Sequence, residues 1–176
     1  FNEAMEQQRV EARKAWVGSG DKVSDKFWSD LYHKFGSSEF LGYEIENAEA
    51  VILALVKDDK HMESLNAGEN CCIVVNQTPF YGEAGGQVGD KGKILSVDGT
   101  VFIVEDTKIF PGGLITHIGR SEDGNLNLGD RVILEIDTQH RSSLRRNHSA
   151  THLLHAALRS NLGDHVTQKG SLVAPD

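Results

Sequence analysis

The residues best equipped for chemistry sit in one short stretch, Asn147-His148-Ser149-Ala150-Thr151-His152-Leu153-Leu154-His155. His148 and His152 are four residues apart, so on a helix their imidazoles stand one above the other on a single face, close enough to chelate one zinc ion. His155 follows three residues later on the same side. Spacing alone also admits a plainer reading, two histidines paired on a surface or in a core. The stretch is not a metalloprotease motif, because His-Glu-x-x-His carries its general base at the second position and Ser149 cannot act as one. A catalytic zinc takes three protein ligands and a water, so two histidines are not enough. Cys71 and Cys72 are candidates for the third, but as neighbours in a strand they point to opposite faces and read as small buried thiols. The missing ligands are expected beyond Asp176.

A second stretch, Thr78-Pro79-Phe80-Tyr81-Gly82-Glu83-Ala84-Gly85-Gly86-Gln87-Val88-Gly89-Asp90, carries four glycines. They let the backbone take positive φ and approach a ligand closely, which suits phosphate or ribose, although composition alone requires only a tight loop. No Gly-Lys-Ser/Thr follows, so it is not a P-loop, and no helix pattern follows, so it is not a dinucleotide fingerprint.

The elements that must position these residues change character along the chain. Phe1, Met5, Ala12 and Trp16 recur at helical spacing until Gly18-Ser19-Gly20. A second helix starts near Ser24 or Asp25, aligns Phe27, Leu31 and Phe35, and ends at Gly36. Both helices are expected to pack against a neighbouring domain or each other. The period then becomes that of strands: Leu41, Tyr43 and Ile45 alternate with Gly42, Glu44 and Glu46, while Val51 to Val56 and Cys71 to Val75 are continuous apolar runs. Lys93 to Val97 and Thr100 to Val104 flank Asp98-Gly99, which predicts a hairpin with a type I′ turn. Asp123-Gly124-Asn125 is another turn, and Leu128-Gly129-Asp130 leads into an alternating Arg131 to Ile136. Six or seven short strands indicate an antiparallel barrel or sandwich. From Thr138 through Gly163 there is no acidic residue, whereas Arg141, Arg145, Arg146 and Arg159 all fall there, on a helix with an apolar stripe of Leu144, Ala150, Leu154 and Leu158. A strand from His165 to Val173 is predicted after it.

Composition narrows the function classes. The chain has 176 residues, 18 basic against 26 acidic, for a formal charge of −8. A uniformly basic nucleic-acid-binding surface is thereby excluded, and contact with a polyanion must use the local patch of Arg141, Arg145 and Arg146. No apolar run approaches the roughly 20 residues of a membrane-spanning helix. Two adjacent cysteines cannot staple a secreted scaffold, so reducing, cytoplasmic conditions are expected. The chain begins within a helical pattern and lacks both an initiator Met and a signal-peptide pattern, so it reads as a piece of something longer.

The glycine-bearing stretch, then Arg146-Asn147-His148-Ser149-Ala150-Thr151-His152-Leu153-Leu154-His155-Ala156-Ala157-Leu158, then His165-Val166-Thr167-Gln168-Lys169-Gly170-Ser171, closely resembles the editing region of the alanyl-tRNA synthetase family, motif by motif and in order. Phe1, Ala4-Met5-Glu6 and Gln8-Arg9 look like the helix preceding that region in bacterial members, so the resemblance covers essentially the whole chain. It implies mainly β architecture with helices: an N-terminal helix pair over 1–37, a translation-factor-like antiparallel β-barrel over 38–138, and over 139–176 the truncated beginning of an α+β editing core shared with threonyl-tRNA synthetases. It implies zinc on His148 and His152, with a downstream Cys-x-x-x-His completing the site. It places Thr151 and Gln168 in the editing pocket, and Gly85, Gly86 and Gln87 in a loop near the tRNA end.

The activity so implied is ATP-dependent joining of alanine to tRNA in the full-length enzyme, with ATP and magnesium in an activation domain outside this piece. Editing hydrolyses tRNA(Ala) mischarged with serine or glycine. The need for editing is physical: an alanine pocket cannot exclude smaller glycine and rejects serine poorly, because one added hydroxyl costs too little discrimination. The partners are tRNA(Ala), its mischarged forms and the remainder of the polypeptide, and the fragment alone is expected to be inactive. Two other classes remain, a non-catalytic tRNA-binding barrel module and a free-standing trans-editing hydrolase of the same superfamily.

Overall fold

The computed structural model describes residues 22–110 and 112–175. The helix predicted over Phe1 to Trp16 lies outside them. In chain order the elements are α1 (Lys22–Phe35), β1 (Glu39–Phe40), β2 (Asn47–Lys57), β3 (Lys60–Met62), β4 (Ser64–Leu65), β5 (Asn70–Val75), β6 (Gln77–Thr78), β7 (Gly92–Ser96), β8 (Val101–Phe110), β9 (Leu114–Ser121), β10 (Leu126–Asn127), β11 (Arg131–Ile136) and α2 (Thr138–Leu162). Neither described helix is long and apolar enough to cross a membrane.

Six antiparallel strands close on themselves in the order β2, β5, β9, β8, β7, β11, with β11 returning to β2. Closure leaves these strands no open edge to pair with another chain. The barrel is filled by alternate side chains that include Ile52, Leu55, Ile73, Phe102, Val104 and Leu134. The register slips between Ile52 and Ala54, so that Ile52 and Leu55 both face inward while Ala54 and Val56 face outward. Helix α1 covers that outer surface: Trp28 and Leu31 pack with Ala54, Val56, Val74 and Leu114, and the Trp28 ring stacks on Phe110 with centroids 3.9 Å apart. The run Val51 to Val56 is continuously apolar because it is covered on both sides, and α1 packs on the barrel.

His117, on β9, is fully buried. Its Nδ1 lies 3.0 Å from Ile73 O, which can only accept, so Nδ1 carries the proton and Nε2 accepts from Thr78 Oγ1 at 2.8 Å. Burial pushes its pKa down to about 4, so the ring is neutral at physiological pH.

Three local expectations are corrected. Leu41 to Glu46 is a turn rather than a strand, because Glu44 N and Ile45 N both donate to Leu41 O, at 3.1 and 3.2 Å. Its alternation does not reflect one-sided burial, since Tyr43 and Ile45 are exposed. At Asp98-Gly99 only the glycine has positive φ, +93°. Gly99 N donates to Ser96 O at 3.1 Å, giving a three-residue loop, and the two-residue turn with paired positive φ occurs at Asp58–Asp59, at 51° and 54°. His165 to Val173 forms no strand: Val173 alone bridges Gln87, because a strand without a neighbour has nothing to pair with.

Candidate functional site

Helix α2 starts where Asp137 accepts from Gln139 N and His140 N at 3.0 and 2.9 Å, a local N-cap built from one carboxylate. Its buried residues, Arg141 and Leu144, both lie in its first two turns. Arg141, grouped by sequence with the basic patch, is 4% exposed and forms an ion pair with the buried Asp90. Its Nε donates to both Asp90 oxygens at 2.8 and 2.9 Å, Nη1 donates to Gly42 O at 3.0 Å, and Nη2 donates to Pro79 O at 2.8 Å. Asp90 in turn accepts from Tyr81 N at 2.6 Å. The guanidinium is therefore an internal clamp joining the Leu41–Glu46 turn, the segment around Pro79 and α2, and it is not offered to a phosphate. Arg145 and Arg146 are exposed; Arg145 stands 4.0 Å from Glu46, and Arg146 donates to Ser143 Oγ at 3.0 Å.

The glycine-bearing loop also differs from a phosphate cradle. A Cβ on Gly89 would sit 2.1 Å from Thr107 O, and one on Gly86, at φ +86°, would sit 2.1 Å from Ser171 O. These glycines are required by the protein's own backbone. Val173 N donates to Gly86 O at 2.8 Å and Val88 N to Val173 O at 3.1 Å, so the chain's end is stitched along the loop. Asn147 Nδ2 ties it to α2 through Ala174 O at 2.7 Å. Gly85, with nothing within 4 Å of a Cβ, faces open space.

The loop reaches the histidines through one side chain. Gln87 Oε1 lies 2.9 Å from His148 Nδ1, and since that oxygen can only accept, Nδ1 holds the proton and His148 Nε2 keeps its lone pair. His152 Nε2 lies 3.0 Å from His148 Nε2, and the rings are 4.8 Å apart. Two imidazoles on a tetrahedral zinc, with bonds near 2.0–2.1 Å, have nitrogens about 3.3 Å apart, so the pair needs only a small opening to admit the ion. Both histidines are exposed. Among the described residues no group of three or more His, Cys, Asp or Glu could hold a metal, so the pair brings together two candidate ligands.

The other predicted residues are less closely joined to that centre. Thr151 is half-buried and donates its hydroxyl to Asn147 O at 2.9 Å, leaving the oxygen's lone pairs available. Gln168 is exposed in the irregular segment after α2, and among the described residues its amide has no hydrogen bond to the others. Cys71 and Cys72 lie away from the pair, on opposite faces of β5, and burial raises their thiols to about 12 and about 11, so both are inert. Residues missed from the sequence are Asp90, whose carboxylate at the end of the glycine-bearing stretch was an available signal, and Phe40, Tyr43 and Tyr81, whose proximity to His148 had none.

A family model described as "tRNA synthetases class II (A)" matches residues 1–140. Proteins named "Alanine--tRNA ligase" from Rhodopseudomonas palustris, Bradyrhizobium diazoefficiens and Nitrobacter winogradskyi are 54%, 53% and 54% identical over all 176 residues, and the chain spans 20% of the length of each.

Proposed function

Because the chain belongs to the class II (A) tRNA synthetase family, we propose that it is the segment of an alanine–tRNA ligase carrying the barrel and the first half of an editing site, which hydrolyses serine or glycine wrongly esterified to tRNA(Ala). ATP-dependent ligation, with its magnesium, is assigned to other parts of the polypeptide. The chain alone is inactive, and the whole works on tRNA in the cytoplasm. The observation that carries this reading is the His148–His152 pair, with Nε2 atoms 3.0 Å apart and one ring oriented from behind by Gln87.

The donor set fits zinc: two imidazole Nε2 atoms converge, and the partner on Nδ1 fixes the tautomer that a ligating His148 needs. When bound, the ion supplies Lewis-acid polarisation of the ester or a water of lowered pKa. His148 and His152 hold it, and Gln87 fixes the His148 ring. The Thr151 oxygen, having given its proton to Asn147 O, is an acceptor for a substrate hydroxyl, which suits serine. Gln168 approaches the ester only if its segment closes over the pair. Arg145 and Arg146 meet RNA phosphates, and Gly85 is the loop position open to the acceptor end.

The test is His148→Ala in the full-length polypeptide. Loss of bound zinc together with a fall of about 100-fold or more in Ser-tRNA hydrolysis, with alanine activation intact, supports the reading. Stoichiometric zinc and undiminished hydrolysis would refute it.

A further inference from the structure

A cleft of 560 Å³ opens between the Leu41–Glu46 turn and α2, lined by residues that include Phe40, Tyr43, Tyr81, Gln87, Arg145 and His148. Its size suits a small-molecule site, roughly 300–1,000 Å³. One wall is aromatic and continuous: Phe40 meets Tyr43 edge to face with centroids 4.9 Å apart, and meets Tyr81 at 6.1 Å. Tyr43 is 85% exposed, so its ring contributes little to the barrel's core and leaves a face free. The opposite wall is α2, whose sequence has no acidic residue from Thr138 through Gly163.

The cleft is held rigidly. Arg141 Nη1 binds Gly42 O, next to Tyr43; Nη2 binds Pro79 O, and Asp90 binds Tyr81 N. One buried ion pair thus sets the aromatic wall against the helix that carries His148 two turns further on. Arg145 at the rim is paired only loosely with Glu46, at 4.0 Å with both side chains about half exposed, so an incoming phosphate can compete for it.

Aromatic rings beside an exposed cation recognise an unpaired base and its phosphate; a greasy peptide would have no use for the cation. We propose that this cleft binds the unpaired terminal nucleobase of an RNA, stacked on Tyr43, with its acylated ribose directed at His148. The inference rests on the editing function proposed above, and it adds a base-stacking site outside the metal pair.

The experiment uses full-length polypeptide carrying Tyr43→Ala or Tyr43→Phe, assayed for hydrolysis of Ser-tRNA. Two inert inhibitors, the seryl 3′-amide of adenosine and the seryl amide of baseless ribose, serve as probes. Tyr43→Ala is expected to raise KM about tenfold with kcat within about twofold, and Tyr43→Phe to restore native values. The adenosine amide should inhibit the native enzyme about tenfold better than the baseless one, and the two should be equal in Tyr43→Ala. An unchanged KM in Tyr43→Ala, a change confined to kcat, or equal inhibition of the native enzyme by the two amides overturns the base site. If His148→Ala still abolishes hydrolysis in that case, the editing function stands without it. Hydrolysis insensitive to His148→Ala would instead remove the editing function itself.

Discussion

The junction where α2 leaves the barrel and the free face of the same helix use the same residue types to opposite ends. At the junction Arg141 is buried with four of its N–H donors engaged, and Leu144 is fully buried. Along the free face Arg145 and Arg146 are exposed, and so are Leu153 and Leu154, at 71% and 61%. Histidine divides by burial: His117 in the barrel has both ring nitrogens bonded to buried groups, whereas His148, with Nδ1 on Gln87 and Nε2 on His152, is exposed together with that second partner. A polar group whose partners are all internal holds the fold together. One whose partner is itself exposed at a surface can exchange that partner for a ligand.

The largest expected effect that would break this contrast is at Arg141. Arg141→Met leaves the Asp90 carboxylate buried without its partner and should cost about 3–5 kcal/mol in denaturant unfolding, whereas Arg145→Ala should stay within about 0.5 kcal/mol. Adding Asp90→Leu to Arg141→Met should recover part of the loss; strictly additive effects would show that the clamp is not a pair. Leucines come next. Leu144→Ala should cost about 2–5 kcal/mol and Leu154→Ala less than about 0.5 in this chain, so equal losses would mean that the free face is covered.

The histidines sharpen the contrast through pH. Burial holds the folded-state pKa of His117 near 4, below the ordinary value of 6.5, so only the unfolded chain takes up a proton as pH falls between those values. Stability is therefore kept above about pH 6.5 and lost below it, at up to about 1.4 kcal/mol per pH unit, levelling off near pH 4. Melting followed from pH 7 to 5 should show this loss in the native chain and in His148→Ala alike, and a His117→Gln chain should show less of it. The last effect is at Gln87: in the full-length polypeptide Gln87→Ala should weaken zinc about 10- to 100-fold in chelator competition while Gln87→Glu retains binding, and an unaltered affinity in Gln87→Ala would leave the glutamine a bystander.

What the sequence determined by itself was local. The i, i+4 spacing put His148 and His152 on one helical face, the run of short strands indicated an antiparallel barrel or sandwich, and Gly36 ended α1, because each follows from backbone geometry within a few residues. Local pattern misled at Leu41 to Glu46, where alternation was read as pairing, and at His165 to Val173, where a strand was predicted but among the described residues only Val173 bridges a neighbour. Tertiary structure decided the rest. It sank Arg141 into a salt bridge with Asp90, 51 residues earlier, and brought Gln87 to His148 across 61 residues. It also set the Tyr43 wall opposite α2. A basic residue on a helix reads the same whether it meets solvent or a buried carboxylate, and closure of the barrel, which brings these distant segments together, settles which it meets.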